Sequence, residues 1–244
     1  MKITIITACY NAEQTIESTL LSVLNQTYDD IEYIVIDGNS KDGTVDIIKK
    51  YENRITKWVS EPDKGLYDAL NKGVSMATGE WIGILNCGDL FCSADTINNM
   101  FTKLIPIDAG IVYGNCYEVD NEKRNYKKFR EPLVSSPLPP DYRHGASFVR
   151  KDIHQKFLYA TAESSKYGYA LDYLQIYRMH KAGVEFHYLD VDVIDYEKVG
   201  ISDNPWHNKY LRSLIINDGK KNIPFYITFI TFVLKAIKNK LVKK

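Results

Sequence analysis

The chain has 244 residues, of which 45% are hydrophobic, with 31 basic and 31 acidic side chains. This length and apolar content support the core of one large α/β domain, or one domain with a short appendage, and argue against disorder. The net charge of +0 argues against a nucleic-acid partner bound through overall positive charge. The four cysteines form no Cys-x-x-Cys pair or zinc-site spacing, which indicates reduced thiols in a cytoplasmic protein. We find no signal-peptide pattern and no run of the ~20 apolar residues that span a membrane.

The first half of the chain alternates strand and helix patterns. Short runs of apolar, largely β-branched residues predict buried strands at 3–8, 31–37, 55–60 and 81–85. Helices are predicted between them: one capped by Asn11 with Ile16 and Leu20 on its apolar stripe, one opened by 42–44, and one at 66–77. Strands separated by helices of this length indicate βαβ units and an α/β fold with a mostly parallel sheet.

Polar residues follow all four of these strands. They occupy 9–11, 37–40, 61–63 and 86–89, and three of the four segments contain a carboxylate. Because ligands of parallel sheets bind beyond the carboxyl ends of the strands, we predict a ligand site where these segments meet. No G-x-G-x-x-G follows the first strand and no G-x-x-x-x-G-K-[ST] occurs, which argues against a Rossmann dinucleotide site and a P-loop.

Two strand-end carboxylates each have two interpretations. Asp37 can accept hydrogen bonds from a base N–H or from ribose hydroxyls, or it can organise the Gly38-Asn39 turn. Asp89, which lies near Asn86, can hold Mg²⁺ or Mn²⁺ together with substrate phosphates, or it can be a turn residue. The residues alone leave both alternatives open.

The second half of the chain is less regular. Strands are predicted at 111–119, 147–149 and 185–196, with 125–129 as a partner of the first, and a helix at 169–181. The apolar segment 223–234 is too short to span a bilayer and is followed by five lysines. It suits an interfacial anchor facing anionic headgroups, or a terminal helix docked on the domain.

Four segments of the first half, read together, resemble the motifs of the family 2 glycosyltransferases in order and spacing. They are 7–11 (TACYN), 37–44 (DGNSKDGT), 60–73 (SEPDKGLYDALNKG) and 78–89 (TGEWIGILNCGD). The resemblance covers residues 1–120. It implies a GT-A fold, which is a Rossmann-like α/β/α sandwich with a mostly parallel central sheet, here followed by a C-terminal helical extension.

The resemblance also implies a nucleotide-sugar donor, commonly UDP-linked, and a divalent Mn²⁺ or Mg²⁺ ion on its diphosphate. By position it assigns donor binding to Thr7, Ala8, Tyr10, Asp37, Asp63 and Asn71. Asp37 would bind the base and Asp89 would be the metal residue. The family motif is D-x-D, whereas this chain has one carboxylate in Asn86-Cys87-Gly88-Asp89. The departure predicts a lower metal affinity, or a contribution from Asn86 through water.

Weaker matches continue beyond residue 120. The segment 144–148 resembles an H-Q-x-x-F element near the acceptor side, so His144 is predicted to touch the acceptor or a donor phosphate, with a structural histidine as the alternative. The segment 170–173 resembles the helix start that carries the catalytic base, and 199–202 resembles a G-G-x-S element. Asp172 would therefore remove the acceptor proton in an inverting displacement; its alternative is to satisfy free helix N–H groups. The absence of Q-x-x-R-W suggests single-sugar addition.

These interpretations predict a glycosyltransferase domain at 1–204, with donor binding in 1–120 and the acceptor side in 121–204, and a helical basic-apolar tail at 205–244. The acceptor would be a saccharide or lipid-linked saccharide in surface polysaccharide or glycan biosynthesis. The protein would be cytoplasmic, at the inner face of the membrane where 223–244 makes peripheral contact.

Two other functions stay open. A nucleotidyltransferase that makes nucleotide-sugars should carry a glycine-rich basic loop after the first strand, where this chain has Cys9-Tyr10-Asn11-Ala12. A non-catalytic module that binds sugar nucleotides would explain the missing D-x-D carboxylate. It would bind the nucleotide without turnover.

Overall fold

The computed structural model describes residues 1–120, 123–133, 136–198 and 204–241, without the side chains of Pro205 and 235–241. The predicted G-G-x-S-like element at 199–202 lies outside the described residues. Nine strands are described: β1 (Ile3–Cys9), β2 (Ile31–Asp37), β3 (Lys57–Ser60), β4 (Trp81–Ile84), β5 (Leu90–Phe91), β6 (Ala109–Asp120), β7 (Lys123–Lys127), β8 (Ser147–Arg150) and β9 (Glu185–Glu197).

All nine strands belong to one sheet, in the order β3-β2-β1-β4-β8-β6-β9-β5, with β7 paired to β6. The pairs among β1 to β4 are parallel, as the βαβ pattern predicts, and β6 is parallel to β9. The other four pairs are antiparallel: β8 enters between β4 and β6 in the opposite direction, β7 folds back on β6, and β5 runs against β9. The sheet is therefore parallel in its first half and mixed beyond β4.

The helices of the described residues cover the sheet and extend past it. They are α1 (Ile16–Leu24), α2 (Thr44–Lys50), α3 (Leu66–Met76), α4 (Thr96–Phe101), α5 (Lys151–Lys156), α6 (Ser164–Tyr167), α7 (Leu171–Lys181), α8 (Pro205–Ile216) and α9 (Ile223–Leu241). The prediction of an α/β sandwich with a helical C-terminal extension is confirmed. One detail was wrong: Asn11 does not cap α1, which begins after Thr15.

Strand β1 is buried throughout because both faces of the sheet are covered. Ile3 and Ile5 join the cluster that contains the apolar stripe of α1, whereas Ile6 joins the cluster on the opposite face with α3. Helix α3 approaches the sheet closely: a Cβ on Gly73 would lie 2.5 Å from Cγ2 of Ile6. The start of α3 is thereby fixed beside the carboxyl ends of the parallel strands.

Helix α9 packs against α8 through one face and leaves the other face open. Phe225 is buried against Tyr210 of α8, with ring centroids 5.5 Å apart. The opposite face exposes Ile223, Tyr226, Ile227, Ile230 and Leu234. Residues 219–244 contain seven lysines and no acidic residue, so they carry a charge of +7 against −7 for the rest of the chain. Among the described residues, no helix has the length and hydropathy to cross a bilayer.

Candidate functional site

A cavity of about 520 Å³ opens at the carboxyl ends of β1, β2 and β3, where the strand-end residues predicted it. It is lined by Ala8, Cys9, Tyr10, Gly38, Asn39, Lys41, Pro62, Asp63, Gly65, Leu66 and Ala69. Three of the predicted donor residues, Ala8, Tyr10 and Asp63, are among them. A cavity of this size lies within the range of ligand sites.

Two of the motif loops hold each other in place beside this cavity. Asn11 has a φ of 47° and its Oδ1 accepts a hydrogen bond from the backbone N–H of Lys41 at 2.8 Å. The backbone N–H of Asn11 donates to Oγ of Ser40, also at 2.8 Å. The backbone N–H of Gly43 donates to Glu13. Much of the motif sequence therefore shapes the walls of the cavity without facing it.

Asp37 is fully buried behind the cavity wall. Its Oδ2 accepts hydrogen bonds from the backbone N–H of Ser40 at 3.0 Å and from Oγ of Ser60 at 2.6 Å, and its Oδ1 accepts from Oγ of Ser40. The structure therefore favours the alternative interpretation, in which Asp37 organises the turn and ties β2 to β3.

Asp63 brings a carboxylate to the cavity from the end of β3. Its Oδ1 accepts from the backbone N–H of Gly65 at 2.7 Å. A Cβ on Gly38 would lie 2.7 Å from its Oδ2 and 3.3 Å from the ring of Tyr10. The absence of a side chain at Gly38 thus makes room for this carboxylate, which lies beside an aromatic ring that is 63% exposed.

The side chain of Thr7 lies in the interior, whereas Ala8 and Tyr10 line the cavity. Its hydroxyl donates to the carbonyl of Leu85 at 2.9 Å and lies 3.0 Å from the hydroxyl of Tyr33. Its side chain joins β1 to β2 and to the end of β4 and is fully buried. A direct contact between the Thr7 side chain and the donor is therefore not supported, and its donor role stays a prediction.

The Asn86-Cys87-Gly88-Asp89 segment forms a tight turn held by α1. Oγ1 of Thr19 accepts from the backbone N–H of Gly88 and donates to the carbonyl of Asp89, at 3.0 and 3.1 Å. Gly88 has a φ of 98°, which glycine adopts without strain. A Cβ there would also lie 2.9 Å from Oε2 of Glu197, so the carboxylate of Glu197 lies over the turn.

Asp89 is a buried carboxyl, only 4% exposed. Burial and the nearby Glu197 carboxylate together raise its pKa to about 7, although a hydrogen bond from the backbone N–H of Glu197 and the charge of Arg143 act to lower it. A bound cation would favour the ionised form of such a group. Arg143 is ion-paired with Glu118 and lies over the ring of Tyr196.

The turn at 86–89 has an oxygen donor set that suits a hard cation. Oδ1 of Asn86 is buried and has no hydrogen-bond partner. Asp89 belongs to the same turn and accepts a hydrogen bond from the backbone N–H of Glu197, whose carboxylate lies against Gly88. Among the described residues, no group of three or more His, Cys, Asp or Glu could hold a metal alone. These residues therefore fit an ion that is also held by substrate phosphates, as Mg²⁺ commonly is.

The predicted acceptor-side residues meet around Tyr159, which precedes α6. Nε2 of His144 lies 2.8 Å from the hydroxyl of Tyr159, and burial lowers the pKa of His144, so the ring is neutral at pH 7. Asn71, predicted to touch the donor, exchanges two hydrogen bonds of 2.9 Å with the backbone of Tyr159. The donor role of Asn71 and the acceptor or phosphate role of His144 stay predictions, since both side chains also serve the internal packing.

Asp172 is half-buried in the first turn of α7. Its Oδ1 accepts from the backbone N–H of Tyr173 at 2.7 Å. The negative charge of Asp172 acts to raise the pKa of both the His144 ring and the Tyr67 phenol. The structure thus brings Asp172, His144 and α3 together, although they are far apart in sequence.

Several residues of the site were not singled out from the sequence. Lys41 places a positive charge at the cavity rim, and Arg143 lies near Asp89. Tyr159 connects His144 to α3. The position of Lys41 inside a motif was a usable signal. Arg143 and Tyr159 act through contacts 15 to 88 residues away in sequence and leave no local pattern.

Comparison with curated proteins finds partial relatives. The chain is 32% identical over 131 residues to UDP-Glc:alpha-D-GlcNAc-diphosphoundecaprenol beta-1,3-glucosyltransferase WfgD of Escherichia coli, a match that covers 53% of this chain and 51% of that protein. It is 38% identical over 96 residues to an uncharacterized glycosyltransferase of Mycobacterium tuberculosis, covering 39% and 37%. The chain thus spans about half, or less, of the length of these relatives.

Solved structures and a family model match far more of the chain. TarS of S. aureus in complex with UDP superposes with a TM-score of 0.66 at 16% identity, covering 96% of this chain and 71% of that one. Mannosyltransferase PcManGT from Pyrobaculum calidifontis, in complex with GDP-Man and Mn²⁺, gives 0.64 at 18%, covering 93% and 68%. These likenesses show the GT-A fold. The model of glycosyl transferase family 2 matches residues 4–164, and the chain belongs to this family.

Proposed function

We propose that this protein is an inverting, non-processive hexosyltransferase that moves one sugar from a UDP-linked donor to a hydroxyl acceptor. The observation that carries the proposal is the cavity at the ends of β1 to β3, next to the Asp89 turn, in a chain of this family. The cavity would hold the nucleoside, and the turn would face the diphosphate.

The base would be recognised by Asp63, with Tyr10 as a stacking surface. A carboxylate accepts hydrogen bonds only, so it selects a base that presents an N–H, as uracil does at N3. An exposed aromatic ring beside that carboxylate offers a face on which the base can stack. Lys41 at the rim would meet the negative charge of the diphosphate.

The reaction would be a single displacement. The acceptor oxygen attacks C1 of the sugar as the bond from C1 to the diphosphate oxygen breaks, so the electron pair leaves with UDP and the anomeric centre inverts. The carboxylate of Asp172 takes the hydroxyl proton, a contribution of about 10² to 10⁴ in rate. Asn86, Asp89 and Glu197 would hold a divalent ion, which when bound neutralises charge on the departing diphosphate.

We further propose a saccharide or lipid-linked saccharide acceptor in surface polysaccharide or glycan biosynthesis, met at the cytoplasmic face of the membrane. The name of the relative WfgD describes a diphosphoundecaprenol-linked acceptor, and the open apolar face of α9 with its lysine-rich continuation suits an anionic interface. In this scheme 1–120 forms the donor side, 121–204 the acceptor side, and 205–244 the helical membrane-facing tail.

A non-catalytic module that binds sugar nucleotides is the second candidate. The observation that favours it is the single carboxylate at the position of the D-x-D motif, together with a raised Asp89 pKa. Such a module would use the same cavity, so nucleotide binding alone does not separate the two functions. Turnover does.

The first experiment is calorimetric titration of UDP and GDP with Mn²⁺ and again with EDTA, followed by UDP-sugar turnover with saccharide acceptors. We expect UDP to bind more tightly than GDP and EDTA to weaken binding. Transfer should fall about 10²- to 10⁴-fold in Asp172→Asn while UDP binding persists. Binding without turnover in the wild-type protein would support the non-catalytic module, and no binding of either nucleotide would contradict both functions.

A further inference from the structure

Helix α3 touches both sides of the proposed active site. Leu66, its first residue, lines the cavity, and the next residue, Tyr67, contacts the start of α7. The Tyr67 hydroxyl donates to the carbonyl of Tyr169. The phenol also lies close enough to the Asp172 carboxylate and to the backbone N–H groups of Leu171 and Asp172 for these groups to influence its pKa.

Helix α7 lacks a cap of its own. The first N–H groups of a helix have no partner within the helix and are usually satisfied by the side chain of the N-cap residue. Here that residue is Ala170, which has no polar side-chain atom, and no side-chain cap forms. The phenol oxygen of Tyr67, which lies 102 residues before Tyr169 in the sequence, is a polar atom of α3 placed at this uncapped helix start.

The Tyr67 ring is also held in place by Tyr159. Its ring packs on the ring of Tyr159 with centroids 5.2 Å apart. Asn71, one turn further along α3, binds the backbone of Tyr159 through its two amide atoms. Burial and the neighbouring Asp172 charge raise the pKa of Tyr67, so the hydroxyl stays protonated and remains a donor to Tyr169.

We propose that Tyr67 is a positioning residue that caps α7 from α3 and so sets the orientation of Asp172 relative to a donor bound at the start of α3. This inference rests on the proposed function, in which Asp172 is the base. One helix then determines the place of the nucleotide and the orientation of the group that activates the acceptor. Such alignment matters because small displacements of reacting groups reduce rates strongly.

The test is Tyr67→Phe, which removes only the hydroxyl and keeps the ring on Tyr159. We expect kcat for sugar transfer to fall about tenfold to hundredfold, UDP affinity to stay within about twofold, and the first-turn amides of α7 to exchange faster with solvent. Tyr177→Phe is the matched control: it removes a phenol of α7 that donates to the carbonyl of Ile216 at 3.4 Å, and it should change neither kcat nor this exchange.

A double-mutant cycle with Asp172→Asn separates positioning from general stability. If Tyr67 acts through Asp172, Tyr67→Phe should cause no further loss of transfer in the Asp172→Asn background. An additive loss, unchanged exchange of the α7 amides, or the loss of UDP binding in Tyr67→Phe would overturn the proposal. A wild-type protein without transfer, or a fully active Asp172→Asn variant, would instead show that the proposed function has failed, and with it the link through Asp172.

Discussion

At the scale of residues, carboxylates with the same sequence signal have different surroundings. Asp37 and Asp63 both follow parallel strands, yet Asp37 is enclosed by the hydroxyls of Ser40 and Ser60, whereas Asp63 lines the cavity. Glu32 lies at the opposite end of the sheet, where it joins Thr4, Lys57 and Thr78. A carboxylate whose two oxygens already accept hydrogen bonds from the protein serves to organise the structure. A carboxylate that keeps one oxygen open towards a cavity is available to a ligand.

Asp63→Asn should weaken UDP binding while leaving the fold intact. The change removes a charge-assisted hydrogen bond, worth about 1.5–3 kcal/mol, so we expect a Kd about tenfold to hundredfold higher in calorimetry. Asp46→Asn, at an exposed position of α2, is the control for loss of one negative charge. Equal UDP affinity in Asp63→Asn and the wild type would contradict the assignment of the base contact to Asp63.

Glu32→Gln tests a structural carboxylate through pH. Burial by itself would raise the pKa of Glu32, but hydrogen bonds from Thr78, Thr4 and Lys57 outweigh it and lower the pKa to about 2. The ionised group therefore stabilises the fold above the unfolded-state pKa near 4.5, and this stabilisation is lost as the pH falls towards 2. We expect a deficit on the order of 2 kcal/mol in the variant at pH 7.

Urea unfolding of the wild type and Glu32→Gln between pH 7 and pH 3 measures this deficit. The difference in the free energy of unfolding should be constant above about pH 5 and shrink towards pH 3, because the wild-type carboxylate then loses its advantage. A difference that stays constant over the whole range would mean that the ionised form of Glu32 contributes nothing to stability.

At the scale of elements, sequence periodicity predicted most of the first half. The buried runs of β1 and β2 and the apolar stripe of α1 follow from the requirement that a two-sided parallel sheet be apolar on both faces. The roles of individual polar residues were less predictable. Asp37 and Asp63 both accept hydrogen bonds from backbone N–H groups two or three residues later, and Asp37 is closed off further by Ser60 of β3, 23 residues away. Tyr159 becomes part of the site only through contacts with α3 and His144.

Helix α9 has the open apolar face that the tail sequence suggested, and its role is testable. Replacing Ile227 and Ile230 together by Asp should abolish sedimentation with phosphatidylglycerol vesicles. Both side chains belong to the exposed face, and a carboxylate there is costly to bury at the acyl boundary and is repelled by anionic headgroups. Binding to neutral phosphatidylcholine vesicles should already be weaker in the wild type.

Ile107→Asp is the matched control, since Ile107 is a fully exposed isoleucine outside α9 and its replacement should leave vesicle binding unchanged. Analytical ultracentrifugation of the same variants tests whether a second copy of the chain, instead of a membrane, covers this face of α9. If the wild type is a dimer and the double variant a monomer, while neither binds vesicles, a second copy of the chain covers α9 and the membrane proposal is wrong.

At the scale of the whole molecule, the sheet joins the two halves into one structure. Strand β8 lies between β4 and β6, and β6 has its other neighbours in β7 and β9. A fragment of residues 1–120 would therefore leave β4 with an unpaired edge and β6 without any of these partners. We expect the fragment to aggregate, as exposed sheet edges do, although it contains the entire lining of the cavity.

Circular dichroism, urea unfolding and UDP calorimetry of this fragment, compared with the full chain, provide the measurement. The full chain should unfold cooperatively and bind UDP, and the fragment should do neither. A soluble fragment with cooperative unfolding and intact UDP affinity would show that the donor side is an independent folding unit.

The division of charge between the two parts of the chain has a consequence for how the protein meets a surface. With −7 on residues 1–218 and +7 on residues 219–244, the neutral chain carries its charge unevenly along the sequence, as an electric dipole does. If the membrane proposal holds, an anionic bilayer would attract the basic segment and repel the rest of the molecule, so the protein should turn before contact and arrive with residues 219–244 leading. Such steering acts only within about a Debye length, ~8 Å at physiological salt, so it sets the rate and geometry of capture, and added salt should slow arrival more than it speeds departure.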